Sequence, residues 1–295
     1  MSKSGLPSIW LEDYSSWGEW DSVRADVAAN SLLLNEEDYL HIHKPKRFSL
    51  RAFCSCCSEH RDMTFDWSLT FAGNGNLYIA WTELLLCQVC GMNSRMRAVW
   101  DFVANKLELP PGAKIYLPEA ITPGFQQWKR RFPSAVGSEY VSPDVPAGSL
   151  HAVGTFSNVR HEDLTQLSFA DDSFDLIISQ DVFEHIPDFR SSFAECCRVL
   201  RKGGKLLFTV PFFPDQKMTE IRAILLPDGS VHSDFPLEYH GNPMSSGGSL
   251  CFQHFGWSML DDLRAAGFSQ AAAHNYWGPT FGHLGSPFFV FTATK

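Results

Sequence analysis

Two pairs of closely spaced cysteines are the strongest chemical signal in this sequence. Cys54 and Cys57 form one C-x-x-C pair, and Cys87 and Cys90 form a second, with 29 residues between the pairs. Four thiolates are a ligand set that tetrahedral zinc prefers, and a two-residue gap lets a tight turn present two of them. Cys56 competes for a place in the first pair, and metal-free buried thiols are the alternative. Because cysteine would fill all four positions, the zinc would be structural.

Two further stretches are typical of a ligand site. KIYLPEAITPGF, residues 114–125, indicates a strand, a turn and a helix, and a nucleotide-type cofactor would bind at that turn. Gly124 is the only glycine in it. Gln180 and Asp181 follow the strand-like run FDLIIS, at the carboxyl edge of the expected sheet, where ligands of open α/β sheets bind.

The elements that would position these residues alternate between strand and helix. Asn93 or Ser94 is the expected N-cap of a helix that reaches about Glu108. After it come KIYL (strand), FQQWKRRF (helix), AVGSEY and FDLIIS (strands), FRSSFAECCRVLRK (helix), KLLFTVPF (strand), SMLDDLRAAGF (helix), and the strands AAAHNYW and FFVFTATK. Apolar strands separated by helices predict an α/β fold with a parallel sheet covered on both faces.

The chain is expected to divide into residues 1–92, with the cysteine module, and residues 93–295, with an insertion at about 214–257. DSVRADVAANSLLLNEEDYL is predicted to form a helix in the first region, and G-N-G-N between the cysteine pairs predicts a hairpin. A second hairpin is expected around PDGS in the insertion.

Composition narrows the class of protein. The 295 residues are 44% hydrophobic and carry a net charge of −9, which favours a large core and argues against binding to nucleic acid or anionic membranes. The sequence contains no apolar run of 18 residues and no secretory pattern at its N-terminus, so we expect a soluble, cytoplasmic protein. In that compartment eight cysteines indicate thiols or metal ligands.

The stretch RHEDLTQLSFADDSFDLIISQDVFEHIPDFRSSFAECCRVLRKGGKLLFTVPF resembles class I S-adenosylmethionine-dependent methyltransferases, in particular the methyltransferase type 11-like group. The acidic-Leu pair, the S-F-D strand, the following E-H and the L-R-K-G-G before a strand occur in that family's order. The resemblance covers about residues 93–295. It implies a Rossmann-like sheet of seven strands, the last antiparallel, with helices on both faces. The cysteine pairs on a predicted hairpin indicate a zinc-ribbon-like region before it.

The resemblance also implies a cofactor site for S-adenosyl-L-methionine. The family's glycine-rich turn is replaced here by L-P-E-A-I-T-P-G, in which Ala120 and Thr122 take the place of two glycines and Glu119 would hold the methionine ammonium. Glu139 would accept from the ribose hydroxyls. The remaining implied contacts are Gly124 in the turn, Ser138 and Tyr140 beside adenosine, Asp163 and Leu164 at adenine, and Gln180 and Asp181 towards the methionine end. A turn cap is the alternative role for Asp163.

The methyl acceptor is the least determined part of the function. A base is needed only if the acceptor must lose a proton, and the candidates are His185, His240 and His254. We expect a small-molecule acceptor, and the sequence allows a homodimer. The alternatives are an RNA methyltransferase that uses the cysteine module, as in some ribosomal RNA guanine methyltransferases, and a catalytically silent binding protein.

Overall fold

The computed structural model describes residues 8–27, 46–73, 76–242 and 244–295. In chain order its strands are β1 (Trp10–Tyr14), β2 (Arg47–Cys54), β3 (Glu59–Asp66), β4 (Thr70–Gly73), β5 (Asn76–Ile79), β6 (Leu86–Cys87), β7 (Ile115–Leu117), β8 (Val136–Gly137), β9 (Leu150–Val153), β10 (Phe156–Arg160), β11 (Phe174–Gln180), β12 (Leu200–Thr209), β13 (Glu220–Ile221), β14 (Ile224–Leu225), β15 (Val231–His232), β16 (Tyr239–Asn242), β17 (Ser245–Leu250), β18 (Gln253–His254), β19 (Gln270–Gly278) and β20 (His283–Thr294). The α-helices are α1 (Trp17–Asp21), α2 (Ser94–Asn105), α3 (Pro123–Arg131), α4 (Phe189–Val199) and α5 (Met259–Ala265). Short 3-10 helices span Trp67–Leu69, Phe183–His185 and Pro279–Phe281.

Two compact units make up the chain. One comprises Met1–Tyr14, Gly18–Glu108 and Ala273–Val290, and the other comprises Ser15–Trp17, Leu109–Ala272 and Phe291–Lys295.

Four parallel strands form the centre of the larger unit. β7 lies between β8 and β11, and β12 pairs with the other side of β11, all in parallel register. The run FDLIIS forms β11, in which six of the seven residues are buried and only Asp175 is intermediate, as expected for a strand covered on both faces. The end of β20 pairs with β12 in the antiparallel direction, with Phe291 opposite Phe208, so the expected antiparallel last strand is confirmed.

Seven strands are hydrogen bonded in the order β1-β19-β20-β12-β11-β7-β8. The number agrees with the expectation, but one of the seven, β1, comes from the N-terminal region that the sequence pattern left outside the sheet. β1 pairs with β19, and Trp10 packs edge-on against Phe102. A hairpin of β9 and β10 follows β8 in the chain, and a parallel bridge joins Glu139, after β8, to His161, after β10. Local sequence does not encode these partner choices, because they depend on contacts between distant segments.

The helix boundaries follow their capping residues. The side chain of Asn93 accepts from Met96 N at the start of α2, and Thr122 caps α3 with Pro123 in its first turn. Helix α4 ends at Val199, earlier than predicted. Leu200 is already the first residue of β12 and pairs with Phe174 of β11.

Both predicted hairpins are present. β4 pairs with β5 up to Gly73 opposite Asn76, and β14 pairs with β15 on either side of PDGS. The helix predicted over residues 21–40 falls largely outside the described residues. No helix in the described part of the chain has the length and apolar character needed to cross a bilayer.

Candidate functional site

Three polar side chains meet where neighbouring parallel strands end. Glu119 lies two residues after β7, Glu139 lies two residues after β8, and Gln180 is the last residue of β11. Gln180 Nε2 donates to Glu119 Oε1 at 3.0 Å, and Thr122 Oγ1 donates to Glu119 Oε2 at 2.7 Å. Glu119 is only 8% exposed, so this carboxylate is held in one orientation at the carboxyl edge of the sheet.

Glu139 binds the backbone of the turn between β7 and α3. Its Oε1 accepts from the amides of Ala120 and Ile121, at 2.7 and 3.1 Å. Burial raises the pKa of Glu139, and the nearby Glu119 carboxylate raises it further, whereas the two amide hydrogen bonds oppose the shift. Two carboxylates in a partly buried turn make a site that favours a positively charged ligand.

The turn itself has no glycine. Gly124 lies within the first turn of α3 and is buried, so it does not belong to the segment between strand and helix. The close approach is made instead by Gly137 in β8, where a Cβ atom would lie 2.5 Å from the Phe125 ring and 2.7 Å from Glu119 O. The sequence pattern gave Gly137 no role, although a glycine at the end of a short strand is a signal of close backbone approach.

The other predicted cofactor contacts differ in their surroundings. Ser138 is buried, and its hydroxyl hydrogen bonds to the Tyr116 hydroxyl at 2.7 Å. Tyr140 is 51% exposed and lies against the ring of His161. Leu164 is buried.

Asp163 and Asp181 have local hydrogen bonds. Asp163 Oδ1 accepts from the amide and the hydroxyl of Thr165, at 2.8 and 2.7 Å, which is the turn-capping arrangement. Asp181 has a φ of 52° and accepts from Thr209 Oγ1 at 2.7 Å. A positive φ in a non-glycine residue directly after a strand is often a feature of ligand sites.

The three candidate histidines, 55 and 14 positions apart in the sequence, lie in one cluster. His240 Nε2 donates to Glu238 Oε1 at 2.9 Å, and His254 Nε2 donates to Glu238 Oε2 at 2.7 Å. His185 and His240 pack edge to face, with ring centroids 5.2 Å apart. Sequence reasoning named the histidines and missed Glu238, because nothing in LEYHGNP marks the glutamate as a partner.

Acidic side chains next to the histidines determine the charge of this cluster. The Cys251 thiol and the Glu184 carboxylate beside His240 raise the pKa of its imidazole to about 11. Burial raises the pKa of Glu184, which has no exposed surface on its side chain. The cluster therefore stabilises added positive charge.

Four cysteines converge in the smaller unit. Cys54 ends β2 and Cys57 lies in the turn that follows it, whereas Cys87 ends β6 and Cys90 lies in a second turn next to Gly91, which has a φ of 74°. The Sγ atoms of Cys54 and Cys90 are 3.6 Å apart, and those of Cys57 and Cys87 are 3.9 Å apart.

These distances fit a zinc ion. A tetrahedral ion with Zn–S bonds of about 2.3 Å places its sulfur ligands about 3.8 Å from one another. The four ligand atoms lie within 4.8 Å of each other, and Cys56 is not part of this group.

Part of the chain matches a known family and curated proteins. Residues 125–208 match the family described as a methyltransferase domain. A malonyl-[acyl-carrier protein] O-methyltransferase of Methylococcus capsulatus is 39% identical over 71 residues, which are 24% of this chain and 25% of that protein. A probable S-adenosylmethionine-dependent methyltransferase of Mycolicibacterium smegmatis is 39% identical over 54 residues, 18% of this chain and 21% of that protein. The chain thus matches about a quarter and a fifth of the lengths of these relatives.

The chain is also similar to solved structures over about two thirds of its length. An S-adenosylmethionine-dependent methyltransferase from Mesorhizobium loti has 16% identity and a TM-score of 0.42 over 67% of this chain and 98% of that one. A 1,6-didemethyltoxoflavin-N1-methyltransferase from Burkholderia thailandensis has 18% identity and a TM-score of 0.40 over 68% of this chain and 77% of that one. Residues 125–208 are thus similar to the methyltransferase domain family, and the curated relatives that the chain resembles carry methyltransferase names.

Proposed function

We propose that this chain is an S-adenosylmethionine-dependent methyltransferase whose cofactor binds at the turn between β7 and α3. The observation that carries the proposal is the convergence of Glu119, Glu139 and Gln180 at the ends of three adjacent parallel strands. This edge of an open α/β sheet is where such folds bind ligands. S-adenosylmethionine carries an ammonium and a sulfonium, so two partly buried carboxylates suit its charge.

Each residue of the turn has a distinct role in this proposal. Glu119, fixed by Thr122 and Gln180, binds the methionine ammonium. Glu139 holds the turn with Oε1 and offers Oε2 to the ribose hydroxyls. Ala120 has a small side chain, so it leaves room for the cofactor at a position where the family has glycine.

Asp163 and Leu164 follow β10 and are proposed to bind adenine, with the Asp163 carboxylate accepting from the exocyclic amine. Thr165 already orients this side chain through Oδ1. When bound, S-adenosylmethionine supplies an activated methyl group on its sulfonium. The protein's contribution is then to align the acceptor with that methyl group, because alignment supplies much of the acceleration in a displacement.

We propose a small molecule as the acceptor. A net charge of −9 disfavours the phosphate backbone of nucleic acids. Gln180 and Asp181 face the acceptor in this proposal. The cysteine turns are proposed to hold a structural zinc ion, as supported by the sulfur-to-sulfur distances.

A calorimetric titration with S-adenosylmethionine and S-adenosylhomocysteine tests the proposal. We expect the wild type to bind both, and Ala120→Leu to abolish binding, because the added side chain fills the space next to the Ala120 amide that Glu139 fixes. Glu119→Gln keeps the shape and removes a charge-assisted bond, so it should weaken binding by about 1.5–3 kcal/mol.

The control variant is Asp261→Asn, since its side chain is 81% exposed and is ion-paired with Arg264 in α5. It should bind like the wild type. A flat titration of the folded wild type would refute the proposed activity and favour a silent binding protein. Retention on a nucleic-acid column at moderate salt would favour an RNA acceptor.

A further inference from the structure

The nitrogen atoms of two histidines face one buried carboxylate. His185 Nδ1 donates to the carbonyl of Leu250 at 2.9 Å, and His240 Nε2 donates to Glu238 Oε1 at 2.9 Å. Each imidazole thus uses one nitrogen as a donor to an oxygen that can only accept. The other nitrogens, His185 Nε2 and His240 Nδ1, lie 3.6 and 3.7 Å from Glu184 Oε1.

Glu184 has no hydrogen-bond partner for either carboxylate oxygen, and its side chain is fully buried. A buried carboxylate without a partner costs several kcal/mol, so such groups are rare unless they bind a proton, a cation or a metal. The two imidazole nitrogens are too far away for hydrogen bonds to Oε1. A cation bound between Glu184 Oε1 and the two imidazole nitrogens would balance the charge of this buried carboxylate at closer range than the histidines do.

We propose that Glu184, His185 and His240 bind a divalent transition-metal ion. Metal–ligand bonds of about 2.0–2.1 Å place neighbouring ligand atoms about 3.0–3.4 Å apart, so closing the two gaps between Glu184 Oε1 and the imidazole nitrogens requires movements of a few tenths of an ångström. The three ligand atoms lie within 4.8 Å of one another. A metal-binding histidine usually donates its second N–H to a carboxylate or a backbone carbonyl, which is the arrangement of both histidines here.

The ligand set indicates the kind of ion. Two imidazole nitrogens and one carboxylate suit zinc, iron(II), cobalt(II) or manganese(II) better than magnesium or calcium, which prefer oxygen alone. Three protein ligands leave at least one coordination position open for water or a hydroxyl group. This site is separate from the four cysteines and does not depend on cofactor binding.

Metal content of the variants tests the proposal. The chain is stripped with a chelator, reloaded with Zn²⁺, freed of excess ion and measured by elemental analysis. We expect Glu184→Gln and His240→Ala each to bind one zinc ion fewer per chain than the wild type. Glu184→Gln preserves shape and removes no hydrogen bond, so its fold should be retained.

The matched control is His232→Ala, which removes a 58% exposed histidine that also lies beside a carboxylate, Asp234. It should keep the wild-type zinc content. Cys87→Ser removes a ligand of the four-cysteine site. It should remove the zinc ion bound there and leave the ion at Glu184, His185 and His240 in place. Loading with Co²⁺ gives a second measurement, because an N/O site lacks the intense thiolate absorption that a cysteine site produces.

Equal zinc content in the wild type and Glu184→Gln would overturn the proposal. Loss of the ion in Cys251→Ala, with its retention in Glu184→Gln, would also overturn it, because the ion would then bind the neighbouring group of Glu238, His240 and Cys251. Cofactor titration on the same preparations separates this outcome from failure of the proposed methyltransferase activity.

Discussion

At the scale of single residues, the turn between β7 and α3 depends on charge and size. Glu139 accepts from two backbone amides with one oxygen, while Glu119 accepts from two side chains with both of its oxygens. A family-type glycine turn would leave these amides free to approach a ligand. Here the Glu139 carboxylate binds the amides, so the turn is already rigid before a ligand arrives.

This dual role makes Glu139→Gln more informative than Glu139→Ala. Glutamine can still accept from the amides of Ala120 and Ile121 through its carbonyl oxygen, but it loses the charge and one acceptor. We expect affinity for S-adenosylhomocysteine to fall by about 1.5–3 kcal/mol, roughly 10-fold to 100-fold, with little change in melting temperature. Glu139→Ala should lower both the affinity and the melting temperature, because two half-buried amides lose their acceptor. Unchanged affinity in a folded Glu139→Gln protein would show that the ribose assignment is wrong.

At the scale of elements, β20 begins with a buried histidine beside the start of α2. His283 is 1% exposed, and its Nδ1 shares a hydrogen bond of 2.8 Å with Ser94 Oγ. Burial lowers the pKa of His283 well below its usual value, and the Arg97 guanidinium lowers it further. Since the folded pKa lies below the unfolded pKa, this group contributes stability at high pH that is lost as pH falls.

We therefore expect the free energy of unfolding to decrease as pH drops below about 6.5, the pKa of a histidine in the unfolded chain. One proton taken up on unfolding gives a slope of about 1.4 kcal/mol per pH unit. Denaturant titrations should give a free energy of unfolding that depends on pH with a slope smaller by this amount in His283→Phe than in the wild type between pH 5 and 6.5, and with equal slopes between pH 6.5 and 7.5. Parallel slopes in the two proteins over the lower interval would contradict the assignment.

At the scale of the whole molecule, the cysteine turns are expected to determine whether the smaller unit folds. β2, β3 and β6 form a three-stranded sheet that carries both cysteine pairs at its turns. A closed four-cysteine zinc site acts through folding free energy, because the unfolded chain has no preformed site. Such an ion has no open position for chemistry.

Cys87→Ser should therefore lower the yield of folded protein and remove one zinc ion per chain. Cofactor affinity per folded molecule should stay the same. Cys56→Ser is the matched control, because Cys56 lies outside the four-cysteine group, and it should keep both zinc and yield. If Cys56→Ser loses the ion and Cys57→Ser retains it, Cys56 is the true ligand.

The sequence by itself determined the parts that depend on local pattern. The run FDLIIS predicted a fully covered strand, Asn93 was one of two predicted N-caps of α2, and the spacing of Cys54, Cys57, Cys87 and Cys90 indicated one cluster. These features need only neighbouring residues, because strand burial, helix capping and tight turns are set within a few positions.

The tertiary structure alone decided which distant residues meet. It placed β1 beside β19, gave Glu139 the amides of the turn, and brought Glu184 and Glu238 to three histidines from separate segments. Such contacts join residues from 16 to more than 200 positions apart, and their partners are chosen by packing and by the cost of leaving buried charges unpaired. That cost does not appear in any local window of the sequence.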